Sequence, residues 1–228
     1  MNTGLSLVEF LLSMTIASIL LLALFTMNSL GAKTYGEARD SWYCMQSLRN
    51  TILLLDEDLM QCGYLMPDDL KIVPARNQLF ISGVPVTSSH TGLRLPNKTA
   101  PPLFSVVRFS TDYGLVLDTI DIDGNTAPDY WANLGLISDS GAFVISHTYS
   151  RGNTHIPLVQ KASVMRGDRV VPAIHYELES DGLYRNNQLI AEAIRRFDTA
   201  MEGGSLRITI QAGYREISRQ ISYLYTFK

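Results

Sequence analysis

The amino-acid sequence predicts an α+β fold in which a long N-terminal helix packs on an antiparallel β-sheet domain. The first observation is a helical spacing of apolar residues that continues from Leu5 to about Gln61. The second is a change after Leu70 to short apolar runs bounded by Gly, Pro, Asn and Ser, the pattern of strands and turns. The 196 residues from Lys33 onward suit one domain, and no internal repeat divides them.

The first half of this helix is predicted to span a membrane. No charged residue lies between Phe10 and Ala32, a run of 23 residues. As a helix this run covers roughly 34 Å, enough to cross a bilayer. Glu9 lies at the start of the run, where a carboxylate in lipid costs roughly 3 kcal/mol on insertion scales. A carboxylate kept at that cost is expected to have a partner and a function.

The second half of the helix is predicted to pack on the domain through one apolar stripe. The stripe consists of residues three or four positions apart, namely Trp42, Met45, Leu48, Ile52, Leu55 and Leu59. Gly63, with Pro67 just beyond it, is the expected C-terminal stop. After the helix, short strands are predicted around residues 79–81, 106–109, 143–145 and 158–159, with a long exposed loop across 85–102.

The C-terminal third predicts a meander of strands. Residues 174–178 lead through Asp181-Gly182 into a second strand, and Asn186-Asn187 leads into a third. Both pairs are favoured in two-residue hairpin turns. Every second residue of 206–212 is apolar, so one face of that strand is expected to be buried. The last strand has one apolar face, made of Ile217, Ile221, Tyr223, Tyr225 and Phe227.

The N-terminal residues resemble the class III signal of type IV pilins and pseudopilins. The resemblance covers Gly4-Leu5-Ser6-Leu7-Val8-Glu9 and the apolar helix behind it. It implies that a prepilin peptidase cleaves between Gly4 and Leu5, that the new amino terminus is methylated, and that Glu9 acts in assembly. Leu5 stands where the family commonly has Phe, and the leader lacks the usual Lys or Arg. From the residues alone, the alternative is a plain signal anchor that contains a glutamate.

The end of the helix carries a second resemblance, to minor pilins of the PilW type. Their Leu-x-x-Asp-Leu pattern followed by Gly-Tyr is matched by Leu55, by Asp58 or Glu57, and by Leu59, Gly63 and Tyr64. The predicted meander also resembles the C-terminal sheet of PilW-type pilins and J-type pseudopilins. The resemblance implies a leader at 1–4, a transmembrane and assembly helix at 5–32, a helix half that packs on the domain at 33–63, and a β-rich periplasmic domain at 64–228.

The resemblance implies a structural protein and not an enzyme. It would be a minor pilin, held in the bacterial inner membrane by one span, that primes or caps type IV pilus assembly after processing and then enters the pilus. The implied partners are other minor and major pilins, the prepilin peptidase, the inner-membrane assembly machinery and membrane lipid. Two alternatives stay open: a minor pseudopilin of a type II secretion system, and a signal-anchored envelope enzyme or binding domain.

Composition and motifs argue against several other functions. The net charge is −3, which is not the basic footprint of a nucleic-acid-binding protein. The sequence contains no G-x-S-x-G, no Gly-rich phosphate loop and no H-E-x-x-H, and its four histidines are scattered and expected to be mostly solvated. On one continuous helix Cys44 and Cys62 lie about 27 Å apart, too far for a disulfide. They are expected to be buried thiols, or bonded only if the helix ends before Cys62.

One acidic segment has the spacing of a calcium loop. Counted from Asp121, oxygen-bearing side chains fall at positions 1, 3, 5 and 9 of an EF-hand loop: Asp121, Asp123, Asn125 and Asp129. Thr126 and Ala132 replace the Gly and Glu that an EF-hand requires. The four residues therefore predict a looser calcium site, the single cofactor that the sequence suggests. The alternative is a hairpin turn, which Asp-Gly-Asn favours.

Overall fold

The computed structural model describes residues 7–63, 66–83, 104–118, 135–150 and 153–227. Within these ranges one long helix, α1 (Leu7–Met60), and a short 3-10 helix at Asp68–Leu70 precede the strands. The strands are β1 (Ile72–Ala75), β2 (Gln78–Ser82), β3 (Ser105–Thr111), β4 (Gly114–Leu117), β5 (Gly135–Ser138), β6 (Gly141–Val144), β7 (His155–Pro157), β8 (Arg169–Leu178), β9 (Leu183–Arg185), β10 (Gln188–Ala191), β11 (Ile194–Glu202), β12 (Ser205–Tyr214) and β13 (Ile217–Thr226).

The strands form two antiparallel sheets. In the larger sheet the central strand is β8, which pairs with β2 and β3 along one edge and with β5 and β9 along the other. Pro172 is tolerated inside this strand although it lacks an N–H. In an antiparallel pair the N–H and C=O of one residue point to the same side, and the Pro172 carbonyl accepts from Gly83, which lies just past the end of β2. The missing N–H therefore falls beyond the β2 ladder. The smaller sheet is the meander β11–β12–β13.

The second half of α1 packs on these sheets and completes the main core. The helix contributes a buried face that consists of Asp40, Cys44, Ser47, Leu48, Thr51, Leu55, Asp58 and Leu59. Opposite it lie the buried apolar residues of β12, which are Leu206, Ile208, Ile210 and Ala212. A second apolar cluster lies between β3, β4, β5 and β7, away from the helix. The predicted α+β fold is therefore confirmed, and the arrangement of one long apolar helix on an antiparallel sheet is pilin-like.

The predicted stripe of α1 is correct for Leu48, Leu55 and Leu59 but wrong for Trp42 and Met45. Trp42 is 64% exposed and Met45 is 50% exposed, so both lie away from the core. The spacing rule fails here because it counts apolar residues only. The face that the sheets cover includes small or polar side chains, such as Ser47 and Thr51. These small side chains let the helix approach closely, and the Thr51 hydroxyl donates to the Ser47 backbone carbonyl within the helix.

The hairpin predictions have mixed outcomes. Asn186 and Asn187 form a two-residue turn, and both have the positive φ that such turns require, 48° and 63°. The turn predicted at Asp181-Gly182 lies one position earlier. Leu178 pairs with Leu183, and the Glu179 N–H donates to the Gly182 carbonyl at 2.9 Å, so the enclosed residues are Ser180 and Asp181. The alternation predicted for 206–212 is confirmed. The loop predicted at 85–102 lies outside the described residues.

Candidate assembly surface

The first half of α1 is a bare apolar surface. None of residues 7–35 is buried, and α1 is the described helix that is long and apolar enough to cross a membrane. The hydroxyl groups in this region bond to the helix backbone: Ser13 to the Glu9 carbonyl at 2.5 Å, Ser18 to the Met14 carbonyl at 2.8 Å and Thr26 to the Ala23 carbonyl at 2.8 Å. Because these hydroxyl groups already have hydrogen-bond partners within the helix, few polar groups would lose their partners when the helix enters lipid or packs against another helix.

The predicted processing and assembly residues lie at the start of this surface. Glu9 is exposed on α1, one position before the uncharged run begins. Gly4 and Leu5 lie outside the described residues, so cleavage between them remains a prediction. The calcium residues Asp121, Asp123, Asn125 and Asp129 also lie outside the described part of the chain, and the calcium site likewise remains a prediction.

The outer side of the second half of α1 also carries large apolar side chains. We call the exposed set the outer row; it consists of Tyr35, Trp42, Met45, Leu53 and Met60. Their separations of seven, three, eight and seven positions place them on one side of a helix. That side faces away from Leu48 and Leu55, which are buried in the core. No described strand covers the outer row, so large apolar side chains stay exposed along the part of the helix that lies beside the domain, among polar residues such as Arg49.

A buried ionic cluster fixes the end of α1 to the larger sheet. Both oxygens of the Asp58 carboxylate accept from Arg185 of β9, each at 2.7 Å, and the Tyr176 hydroxyl donates to the same carboxylate at 2.5 Å. The Asp58 side chain is only 6% exposed. The carboxylate raises the pKa of the Arg185 guanidinium, and burial beside it raises the pKa of the Tyr176 hydroxyl. Of the two residues that could match the family's Asp, Asp58 lies in this cluster, whereas Glu57 is exposed.

Weaker polar contacts fix the N-terminal end of the packed half. Asp40 is buried and lies 3.4 Å from both Arg39 and Arg215. The Tyr43 hydroxyl donates to Glu192 at 2.7 Å, and this hydrogen bond raises the pKa of Tyr43. Together with the cluster around Asp58, these contacts hold about five turns of α1 rigidly on the sheets. The direction in which the bare span leaves the domain is therefore set by the domain itself.

His175 is an exception to the expectation of solvated histidines. Its ring is buried in β8 and stacks on Phe80 with centroids 4.6 Å apart. Within the described residues Nε2 has no hydrogen-bond partner, and Glu177 lies 4.0 Å away. Burial lowers the pKa of His175 to about 4, against an opposing effect of Glu177. His147 and His155 are exposed, as predicted.

The two cysteines are free thiols. Although α1 ends at Met60, before Cys62, the two residues do not pair. Cys44 faces the start of β13, with its Sγ 3.9 Å from the Ile217 carbonyl, and Cys62 Sγ donates to the Lys71 carbonyl at 3.3 Å. Burial raises the pKa of Cys62 to about 11, so this thiol is a structural group and a poor nucleophile at neutral pH.

Within the described ranges no group of three or more His, Cys, Asp or Glu side chains could hold a metal ion. The Arg195-Arg196 pair is exposed on β11, where Arg196 bonds to Asp198. The sequence analysis did not identify the outer row, because it assigned two of its members, Trp42 and Met45, to the packed stripe. The signal that could have separated the two faces is the placement of Ser47, Thr51 and Asp58, which share the buried side with Leu48 and Leu55.

No protein-family model, no curated protein and no solved structure matches this chain. Its fold and surfaces are therefore interpreted from its own residues.

Proposed function

We propose that this chain is a minor pilin of the PilW type, a structural subunit that primes or caps type IV pilus assembly. It would be held in the bacterial inner membrane by the first half of α1, with the β-domain in the periplasm, and would enter the pilus after cleavage by a prepilin peptidase. Its partners would be other minor and major pilins and the inner-membrane assembly machinery.

The observation that carries the proposal is that large exposed apolar side chains recur on one side of α1 beyond the uncharged run. A plain membrane anchor needs exposed apolar residues only where lipid surrounds it. Here the outer row extends the apolar surface past the uncharged run, to Met60 at the end of the helix. Trp42 and Leu53 would supply two large apolar contacts to a surface that packs along this side of α1. A second long helix beside α1, as in a bundle of pilin helices, would cover the span and the outer row together.

The signal-like residues support the same proposal. Gly4 precedes a segment in which Glu9 lies at the edge of lipid, and a cleavage after Gly4 would create a cationic amine on Leu5. A carboxylate at i+4 from that amine could pair with it, or with the amine of a neighbouring subunit, when the helices enter a bundle. In a signal anchor without an assembly role, Glu9 would have no neighbouring subunit's amine to pair with.

The test is the mature N-terminal residue, determined by mass spectrometry on protein purified from membranes of cells that express a prepilin peptidase. The proposal expects a chain that begins at a methylated Leu5. Gly4→Val should leave the precursor uncut, because a side chain at this position blocks close approach of the peptidase to the backbone. Gly31→Ala, at a helix position with open space around it, is the matched control and should be cut normally. An uncut wild-type chain, or normal cleavage of Gly4→Val, would contradict the proposal.

A further inference from the structure

The C-terminal strand β13 is a long edge strand in which a single charged residue, Arg219, is the one feature that opposes pairing with another chain. An open edge presents a row of unpaired backbone N–H and C=O groups, and proteins commonly blunt it with short strands, prolines, bulges or a covering element. Within the described residues, β1 has four residues and includes Pro74, and β7 has three residues and includes Pro157. β6 and β10 have four residues each, and β10 has a register shift.

The other edge of the small sheet is also protected. β11 has a register shift between Ile194 and Arg196, and it lies against the larger sheet, where the Thr199 hydroxyl donates to the Gln78 carbonyl at 3.1 Å. β13 differs from all of these edges. It has ten residues without proline, and it pairs with β12 in unbroken register from Tyr214↔Ile217 to Ser205↔Thr226. No described strand pairs with its other side.

The free backbone groups of β13 belong to alternate residues. The two-residue turn at 215–216 makes Tyr214 and Ile217 the closing hydrogen-bonded pair, so the odd-numbered residues of β13 bond to β12. The ladder on the other side of β12 agrees, because the Gly213 N–H donates to the Ala193 carbonyl, towards β11. The N–H and C=O groups of the even-numbered residues, Ser218, Gln220, Ser222, Leu224 and Thr226, therefore point away from β12.

The side chains of β13 indicate what kind of strand the edge would accept. The face towards α1 carries apolar residues that are only half-buried: Ile217, Ile221, Tyr223, Tyr225 and Phe227. The opposite face carries Ser, Gln, Leu and Thr, all exposed. Arg219 is the only charged residue of the strand, and it donates to the neutral Ser41 hydroxyl at 3.3 Å. An added strand would suit this edge if apolar residues alternate with hydroxyl residues and a carboxylate lies opposite Arg219.

The direction of β13 excludes a second copy of this chain as a strand that pairs antiparallel with β13. This argument rests on the proposed function, which inserts all copies in the same orientation in one membrane. Ile217, at the start of β13, lies against Cys44, and the Tyr225 hydroxyl near its end donates to the Leu59 carbonyl at 3.1 Å. β13 thus runs in the same direction as α1. Two copies paired antiparallel through β13 would direct their spans oppositely, whereas copies inserted alike in one bilayer have parallel spans.

We infer that the free edge of β13 is a β-augmentation site that accepts an extended strand of a different protein chain in the assembly. The incoming strand pairs antiparallel with β13, places alternate apolar side chains against Tyr223 and Tyr225, and offers a carboxylate to Arg219. Main-chain hydrogen bonds to the even-numbered residues supply the affinity, and the side-chain alternation supplies the register. This contact is separate from the outer row of α1 and fixes the orientation of a partner about the helix axis.

The test uses the full-length chain in detergent and a ten-residue synthetic peptide in which Val alternates with Thr and one Glu is set to oppose Arg219. In the free chain, amide exchange should be fast at Gln220, Ser222 and Leu224 and slow at the odd-numbered residues between them. Peptide should slow exchange at the even-numbered residues. Gln220→Pro removes one outward N–H at an edge position that tolerates proline, and it should weaken peptide binding about tenfold. Gln220→Ala keeps that N–H and should bind as wild type does.

Three results would overturn the inference. Slow exchange at the even-numbered amides of the free, monomeric chain would show that the chain's own residues cover the edge. Slow exchange together with a dimer would identify a second copy as the occupant. Equal peptide binding by wild type and Gln220→Pro would show that the peptide binds elsewhere. None of these measurements depends on cleavage after Gly4 or on the outer row, so failure here is distinguishable from failure of the proposed function.

Discussion

Asp58 is the residue on which the joint between helix and sheet depends. Its carboxylate is buried and accepts from Arg185 and Tyr176, so its removal leaves a guanidinium and a hydroxyl without their acceptor. Breaking one side of a buried pair costs about 3–5 kcal/mol, far more than the net contribution of the intact pair. We expect Asp58→Ala to lower the free energy of unfolding by about 3 kcal/mol, measured by urea denaturation in detergent.

The matched control for this prediction is Asp68→Ala. Asp68 also forms an ion pair, with Lys71 at 2.8 Å, but its side chain is 93% exposed. Solvent screens such a pair, so its loss should change stability little. Similar effects of the two substitutions would contradict the assignment of Asp58 as a buried anchor.

His175 should make the domain sensitive to mild acid. Its folded pKa, about 4, lies below the ordinary value of 6.5, so as the pH falls the unfolded chain binds the proton first. Stability is therefore complete above about pH 6.5 and decreases as the pH falls towards 4. Between pH 7 and pH 5 the loss should be about 2 kcal/mol. The measurement is the free energy of unfolding across that range.

The control substitutions are His175→Phe, which keeps a ring stacked on Phe80, and His147→Gln at an exposed position. His175→Phe should flatten the pH dependence, and His147→Gln should leave it unchanged. Asp69 and Asp139 do not interfere, because Arg169 lowers their pKa values below the ordinary 3.8, outside this window. An unchanged slope in His175→Phe would mean that another group carries the acid sensitivity.

At the scale of single elements, α1 has two faces with different tasks. Leu55 is fully buried against the sheets, whereas Leu53, two positions away, is 59% exposed in the outer row. Leu55→Ala should cost about 3 kcal/mol, because it removes buried apolar surface and leaves a cavity. Leu53→Ala should change stability little, since it touches no core residue. Thermal unfolding of the two variants in the same detergent compares them directly.

The outer row should matter for association instead of folding. Trp42→Ala combined with Leu53→Ala keeps the fold but removes two large apolar side chains from the surface that another helix would cover. Under the proposed function, recovery of partner pilins with the full-length double variant should fall several-fold, in keeping with the loss of two apolar contacts of about 1–2 kcal/mol each. Full recovery of partners would mean that the outer row is not an assembly surface.

At the scale of the whole molecule, the proposed function assigns Glu9 the task of coupling a membrane-bound state to an assembled state. Glu9→Ala removes a charge that lipid disfavours, so membrane insertion and cleavage after Gly4 should persist. Incorporation into filaments, or co-purification with partner pilins in detergent, should decrease, because the carboxylate can no longer match an amine in the helical bundle. Glu9→Gln separates the charge from the size of the side chain. Equal partner recovery by wild type and both variants would assign assembly to the periplasmic domain.

The sequence alone determined the features that depend on local spacing and local chemistry. The uncharged run of α1, the helix end near Gly63, the turn at Asn186-Asn187 and the buried face of β12 all follow from residue patterns within one element. The signal-like residues at Gly4 and Glu9 likewise belong to one short segment. Such features are set by neighbours along the chain, so they could be predicted without knowledge of the fold.

Only the tertiary structure decided which side of α1 is covered and which backbone edges stay open. Trp42 and Met45 have the spacing of core residues, but the sheets instead cover the side that carries Ser47, Thr51 and Asp58, because Arg185 and Tyr176 supply partners for the buried carboxylate. Those partners lie more than 100 positions away in the chain. The exposure of β13 and the burial of His175 also depend on contacts between distant segments, which no local pattern encodes.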